Sequence, residues 1–264
     1  MSSSRASIRY ALGIILCGFL VGPAVAQTPP RVIHVFVALA DNQHQGIVPV
    51  PAALGNGDDP GRNLYWGAGG GVKTFFARSK EWDLIQTSKP LPPVLERCVF
   101  KHRTENVYLV ADAYQGAQIK LAIEDFLRAA SGGAPFKIVM IGSRNVNINA
   151  GGSADVVAYV GHDGLMDFTL DKLPHNQAES RREAIILACA SKQYFTKALR
   201  ASGATPLLWT TNLMAPEAYT LKAALDGWIA KESAEQIRQR AAEAYSHYQK
   251  CSVKAARGLL VTGW

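Results

Sequence analysis

A histidine and a cysteine stand at the ends of two apolar segments and are the strongest candidates for chemistry in this sequence. His162 follows the segment 155–160, and Cys189 ends the segment 184–189. A thiol becomes a competent nucleophile when a nearby imidazole or helix N-terminus favours its thiolate. The imidazole can then carry the proton to the leaving group. The pair predicts nucleophilic catalysis, with Cys189 attacking and His162 moving the proton.

The residues around His162 offer backbone groups for charge stabilisation. Gly161 and Gly164 flank His162 and Asp163, and glycines allow the backbone to approach a substrate closely. We expect the amides of Asp163 and Gly164 to stabilise an oxyanion. Taken alone, Cys189 would be interpreted as a small core residue, and it is the pairing with His162 that favours catalysis.

Short apolar runs alternate with helical patterns along the chain. Unbroken Val/Ile/Leu runs of this length are typical of strands buried on both faces of a parallel sheet. The sequence predicts one three-layer α/β domain over residues 27–264, with a mostly parallel sheet and a helical C-terminal end. The predicted strands are 32–40, 107–111, 136–141, 155–160, 184–189 and 206–210. Four helices are predicted: the first covers 119–130, the second follows Cys189 and ends near Gly203, the third begins near Pro216, and the fourth begins at a capping box formed by Ser233 and Gln236.

Ligands of open parallel sheets bind at the carboxyl ends of the strands, which predicts further binding residues. Asp41 and Asn42 follow the first strand, and Thr211 and Asn212 follow the last. We expect these four residues to bind substrate. Asp41, Asp112 and Asp163 would make the mouth of the site acidic and favour a basic substrate side chain.

The segment 41–71 is predicted to be a long loop that overhangs this edge of the sheet. It is rich in Gly, Pro, Asn and Asp, and a loop of this length in a compact domain is usually functional.

The glycine run of this loop, 67–71, is either a weak phosphate loop or a turn that permits close packing, and the turn is favoured. No metal site is predicted, because Asp41, His44, Asp58 and Asp59 lack a metal-ligand spacing. Buried aromatic side chains under the loop are expected at Tyr65, Trp66, Phe75, Phe76 and Trp82.

The two blocks that carry His162 and Cys189 resemble the caspase-like (clan CD) cysteine peptidases. "DVVAYVGHDG" and "AIILACAS" are similar to that group's two hydrophobic strands ending in His-Gly and in Ala/Gly-Cys. The resemblance covers roughly residues 104–212 and implies His162 as the catalytic imidazole and Cys189 as the nucleophile. It also implies a peptide or protein substrate and no cofactor. Asp163 stands where the family usually has glycine.

The first 26 residues have the pattern of a secretory signal. Arg5 and Arg9 precede a mostly apolar stretch, and Ala24-Val25-Ala26 is a small-x-small cleavage pattern. We expect cleavage after Ala26 and a periplasmic or secreted protein without a membrane segment. The net charge of +7 is scattered along the chain, so no nucleic-acid partner is implied.

The remaining cysteines are expected to pair. In an oxidising compartment thiols tend to form disulfides, and a bridge between Cys98 and Cys251 would leave Cys189 free. The favoured hypothesis is an exported cysteine-dependent peptidase or related acyl-transfer hydrolase. The alternatives are a non-enzymatic binding or scaffold protein on the same fold and, less favoured, a nucleotide-binding enzyme that uses the loop 67–71.

Overall fold

A large sheet forms the centre of the protein in the computed structural model, which describes residues 29–140, 145–177 and 182–264. Eight strands form this sheet in the order β10-β9-β8-β7-β1-β4-β3-β2, and β5 pairs only with β6. The strands are β1 (Arg31–Ala38), β2 (Trp82–Ser88), β3 (Val94–His102), β4 (Val107–Tyr114), β5 (Phe136–Met140), β6 (Val146–Ala150), β7 (Val156–Val160), β8 (Glu183–Leu187), β9 (Thr205–Thr210) and β10 (Leu260–Val261). The helices are α1 (Val72–Ala77), α2 (Ile119–Ala130), α3 (Ser191–Ser202), α4 (Ala218–Ile229), α5 (Ala234–Gln249) and α6 (Val253–Leu259).

The middle of the sheet is parallel. Strand β1 pairs in parallel with β4 and β7, β7 with β8, and β8 with β9. The antiparallel strands β2, β3 and β10 lie toward the two edges. The carboxyl ends of five parallel strands therefore meet at one edge of the sheet, as the apolar runs predict.

Two buried clusters cover the two faces of the sheet. Because successive side chains of a strand point to opposite faces, Val35 of β1 packs in one cluster and Phe36 in the other. Helices α1, α4 and α5 contribute to the first cluster, and α2 and α3 to the second. This arrangement confirms the predicted three-layer α/β fold with a mostly parallel sheet and a helical C-terminal end.

The helix boundaries follow local signals in the sequence. Ser233 and Gln236 form the predicted capping box at the start of α5. Helix α3 ends at Gly203, which has a φ of 80°, a conformation that glycine adopts at little cost. The predicted strand 136–141 forms β5 but lies outside the main sheet. Strands β2, β3, β6 and β10 are absent from the sequence prediction.

The loop 41–71 is anchored by buried polar and aromatic side chains. The side chain of buried Asn63 accepts a hydrogen bond from Ala40 N and donates to Ala40 O and Asn56 O. A Cβ at Gly71 would lie 2.5 Å from the backbone of Trp66, so this glycine serves close packing, as the favoured interpretation predicts. Tyr65, Trp66, Phe76 and Trp82 are buried and Phe75 packs against them.

The described structure does not bring Cys98 and Cys251 to the distance that the predicted disulfide requires. Cys98, Cys189 and Cys251 are free thiols in it. Cys98 is buried within strand β3, and half-buried Cys251 follows helix α5. Burial raises the pKa of Cys98 to about 11, which disfavours the thiolate form of that residue.

The proposed signal, residues 1–26, lies outside the described residues. Within the described ranges, no helix has the length and apolar character needed to span a membrane.

Candidate active site

His162 and Cys189 follow adjacent strands and line one cavity. Strands β7 and β8 pair in parallel up to Val160 and Leu187, and the two residues come just after those ends. The chain leaves β7 through Gly161, which has a φ of 152°, a conformation disfavoured for other residues. The cavity has a volume of about 350 Å³, which is within the usual size range of small-molecule and side-chain pockets.

A sharp turn between β8 and α3 presents Cys189. Ala190 has a φ of 47° and a ψ of 32°, and α3 begins at the next residue. Buried hydroxyl groups fix this turn: Ser191 Oγ donates to Ile186 O at 2.9 Å, and Thr210 Oγ1 donates to Ala188 O. A residue other than glycine in the left-handed conformation is strained, and backbone strain of this kind is often found at functional sites.

The sulfur of Cys189 is held by the backbone of Met214. The amide of Met214 donates to Sγ at 3.4 Å, and the thiol lies 3.6 Å from the carbonyl oxygen of the same residue. These two contacts fix the position of the sulfur at the wall of the cavity. Among the hydrogen bonds of the described residues, none joins this sulfur to the ring of His162.

The ring of His162 is oriented by Asp167. The distance between His162 Nε2 and Asp167 Oδ2 is 2.7 Å. Asp167 Oδ2 also accepts a hydrogen bond from Gly46 N in the long loop at 3.2 Å. The carbonyl oxygen of His162 accepts a hydrogen bond from Tyr159 at 2.7 Å. Asp167 is missing from the sequence prediction, although a carboxylate five residues after the histidine was a visible signal.

The amide of Gly164, which was expected to stabilise an oxyanion, is used by the turn that leads into a short 3₁₀ helix, Gly164–Met166. The amide of Gly164 donates to the carbonyl oxygen of His162 at 3.1 Å, so it is occupied within the turn. A Cβ at Gly164 would lie 2.6 Å from the ring of Phe168. This corrects the prediction for Gly164: its lack of a side chain allows Phe168 to pack closely, and its amide hydrogen-bonds within the turn.

Asp163 lies beside His162 but is completely buried. One carboxylate oxygen accepts a hydrogen bond from Leu165 N at 3.0 Å, and the other has no hydrogen-bond partner among the described residues. Burial raises the pKa of Asp163 to about 7. Its side chain does not line the cavity, so it contributes no charge to the mouth of the site.

The residues expected to bind substrate at the first strand lie elsewhere. Asp41 accepts hydrogen bonds from the amides of Gln43 and His44 and contacts the His44 ring at 2.9 Å. Asn42 bonds the backbone of Val50 in both directions. Asp41 and Asn42 line a separate polar cavity. They organise the loop, because its many turns need local acceptors and donors.

The residues expected to bind substrate at the last strand are also outside the cavity. Thr211 Oγ1 donates to Gly258 O at 2.9 Å, which ties the end of β9 to α6. The carbonyl oxygen of Asn212 accepts the amide hydrogen of Ala190 at 2.9 Å, so Asn212 supports the turn that carries Cys189. The residues that follow, 213–217, line the cavity instead.

The third acidic residue expected at the mouth, Asp112, is part of the core. Arg97 donates to both of its oxygens at 2.6 Å, and His34 Nε2 lies 3.1 Å from Oδ2. Burial alone would raise the pKa of Asp112, and the bonds from Arg97 and His34 outweigh burial, so the pKa is lowered. Within the described part of the chain, no cluster of three or more His, Cys, Asp or Glu side chains is arranged to hold a metal ion.

The walls of the cavity are mostly apolar, and its charged wall residue is Glu217. Tyr65 reaches the cavity from the long loop, and burial together with the charges of Cys189 and Glu217 raises its pKa. None of the wall residues is a lysine or an arginine. The apolar wall residues are Ile47, Val48, Leu64, Met166, Leu213, Met214 and Pro216.

Comparisons with family models, with curated proteins and with solved structures found no match to this chain. The candidate site therefore rests on its own geometry.

Proposed function

We propose that the protein is an exported cysteine-dependent peptidase or a related acyl-transfer hydrolase. The observation that carries the proposal is that Cys189 and His162 line one cavity at the carboxyl edge of the sheet. The Asp167–His162 bond at 2.7 Å supports it, because an acid on one ring nitrogen fixes the tautomer and leaves the other nitrogen for proton transfer. The resemblance of the two sequence blocks to caspase-like peptidases supports the same assignment.

In the proposed reaction, the thiol proton of Cys189 moves to His162 and the sulfur attacks the carbonyl carbon of a peptide bond. The C–N bond then breaks, the amine leaves with the proton from His162, and a thioester remains on Cys189. Water attacks the thioester with His162 as base, which releases the acid and restores the thiol. The sulfur must turn from Met214 toward His162, a rearrangement that substrate binding commonly brings about.

Alkylation and hydrolysis together test this proposal. We expect iodoacetamide to modify Cys189 faster than Cys251, as measured by peptide mass spectrometry at neutral pH. A fluorogenic peptide library should be cleaved by the wild-type protein and not by Cys189→Ala or His162→Ala. Cys251→Ala and His175→Ala are the matched controls, because they remove a thiol and an exposed imidazole outside the cavity. Hydrolysis that survives loss of either Cys189 or His162 contradicts the proposal.

A binding or scaffold protein is the second candidate, and one observation favours it. Val48 and Leu213 are exposed at the cavity, at 86% and 68% of their surface, which is suited to holding an apolar segment without chemistry. In that case the library is not cleaved, and peptides bind equally well to Cys189→Ala and to the wild-type protein.

A further inference from the structure

Glu217 is a carboxylate without a cationic partner in the wall of the candidate site. Within the described part of the chain it forms no ion pair with lysine, arginine or histidine. It is half-buried, at the N-cap position of α4. The N-terminus of a helix favours a negative charge at this position, and the Glu217 carboxylate is the group that the fold places there.

Neutral groups hold Glu217 in place. Gln249 Nε2 lies 3.4 Å from Glu217 Oε2 and donates to the hydroxyl of Tyr219 at 2.6 Å. Gly70 leaves room for the carboxylate, because a Cβ there would lie 2.7 Å from Glu217 Oε1. These contacts orient the carboxylate without cancelling its charge. The cavity therefore keeps a net negative group beside apolar walls.

Apolar walls with one carboxylate match a long side chain with a cationic head. The methylene stem of lysine or arginine packs well against apolar surface while its charged end reaches a polar partner. Away from bulk water, the attraction between such a head group and a carboxylate is stronger than on an exposed surface. An acidic side chain would instead be repelled, and a neutral one would leave Glu217 partly desolvated without a partner.

We propose that this cavity binds a lysine or arginine side chain of the substrate, with the cationic head at Glu217. The proposal rests on the proposed function in taking a peptide as the ligand. Glu217 replaces the acidic residues predicted from the sequence for a basic substrate, Asp41, Asp112 and Asp163, none of which lines the cavity.

Protection of Cys189 from alkylation tests cation binding without any need for hydrolysis. The probe is agmatine, an alkyl chain with a guanidinium at one end and an ammonium at the other, and the neutral comparison is pentanamide, which should give no protection. We expect agmatine at millimolar concentration to slow the modification of Cys189 by iodoacetamide at least threefold and to leave that of Cys251 unchanged. Glu217→Gln, which keeps the shape and the contact with Gln249, should remove the protection. Glu243→Gln, an exposed change on α5, should not.

Peptide cleavage supplies the second measurement. With fluorogenic peptides, kcat/KM for lysine or arginine should exceed that for leucine or aspartate at the preferred position by at least tenfold, and Glu217→Gln should lose most of this preference. Absence of protection by agmatine, or protection that survives Glu217→Gln, overturns the cation site. Protection without any cleavage overturns the proposed peptidase activity and leaves the cation site supported.

Discussion

The molecule contains two histidine–aspartate pairs in contrasting surroundings: His34–Asp112 in the core and His162–Asp167 at the cavity. In the core pair, His34 Nδ1 accepts a hydrogen bond from Gly151 N, and its Nε2 contacts Asp112. Both ring nitrogens are thus occupied, and both side chains are at most 2% exposed. Such a pair has no free nitrogen for a substrate.

The cavity pair has the opposite character. The Asp167 side chain is 42% exposed, and the His162 ring faces a cavity that also contains a thiol. The same two residue types therefore serve packing in one place and are available for proton transfer in the other. The difference lies in what else contacts the ring and in whether a substrate can reach it.

The largest effect on stability is expected at the core pair. Asp112→Ala would leave the half-buried Arg97 guanidinium without its partner, and breaking a buried charge pair typically costs about 3–5 kcal/mol. Chemical denaturation should report this loss of unfolding free energy. The exposed pair Arg103–Asp83 is the control, and Asp83→Ala should cost less than about 1 kcal/mol. Equal losses in the two variants would remove the distinction between core and surface pairs.

The largest effect on activity is expected at the cavity pair. Asp167→Asn keeps an acceptor for Gly46 N but removes the carboxylate that, in the proposed mechanism, orients the His162 ring. We expect kcat/KM to fall by about 100-fold, with the unfolding free energy changed by less than about 1 kcal/mol. Asp171→Ala, which breaks the exposed contact with Lys120, should keep full activity. An Asp167→Asn variant as active as the wild-type protein would make Asp167 a structural residue.

A smaller, pH-dependent effect is expected from Asp163, the buried acid that follows His162 in the chain. Its pKa is about 7 in the folded protein and 3.8 is its ordinary value. Between these values the folded state binds more protons than the unfolded state, so stability falls as pH rises from about 4 to about 7.

Asp163→Asn removes this titration. Relative to the wild-type protein, the variant should gain on the order of 1–3 kcal/mol between pH 4 and pH 7 and nothing further above it. Denaturation series at several pH values measure this difference. A constant difference across the range would show that Asp163 stays ionised in the fold.

The sequence predicts the five parallel strands of the main sheet, β1, β4, β7, β8 and β9, because their unbroken apolar runs mark strands that are buried on both faces. It places His162 and Cys189 at one edge for the same reason. Asp167 and Glu217 escape prediction, since the directions of their side chains depend on a 3₁₀ turn and on the cap of α4. The contact between Gly46 and Asp167 joins residues 121 positions apart, which no local pattern encodes. Asp41 and Asn42 follow the expected strand but turn into their own loop.

The hydrogen bond from Gly46 to Asp167 ties the long loop to the acid that contacts His162. It is made by a backbone amide, so it needs no particular side chain, yet a methyl group at position 46 would lie 2.7 Å from Asp167 Oδ1 and would press on the acid that orients His162. The neighbours Ile47 and Val48 face the cavity without touching that bond. Under the proposed function, substitutions at Ile47 and Val48 are expected to change what the cavity holds, whereas Gly46→Ala is expected to displace the Asp167 carboxylate and with it the His162 ring.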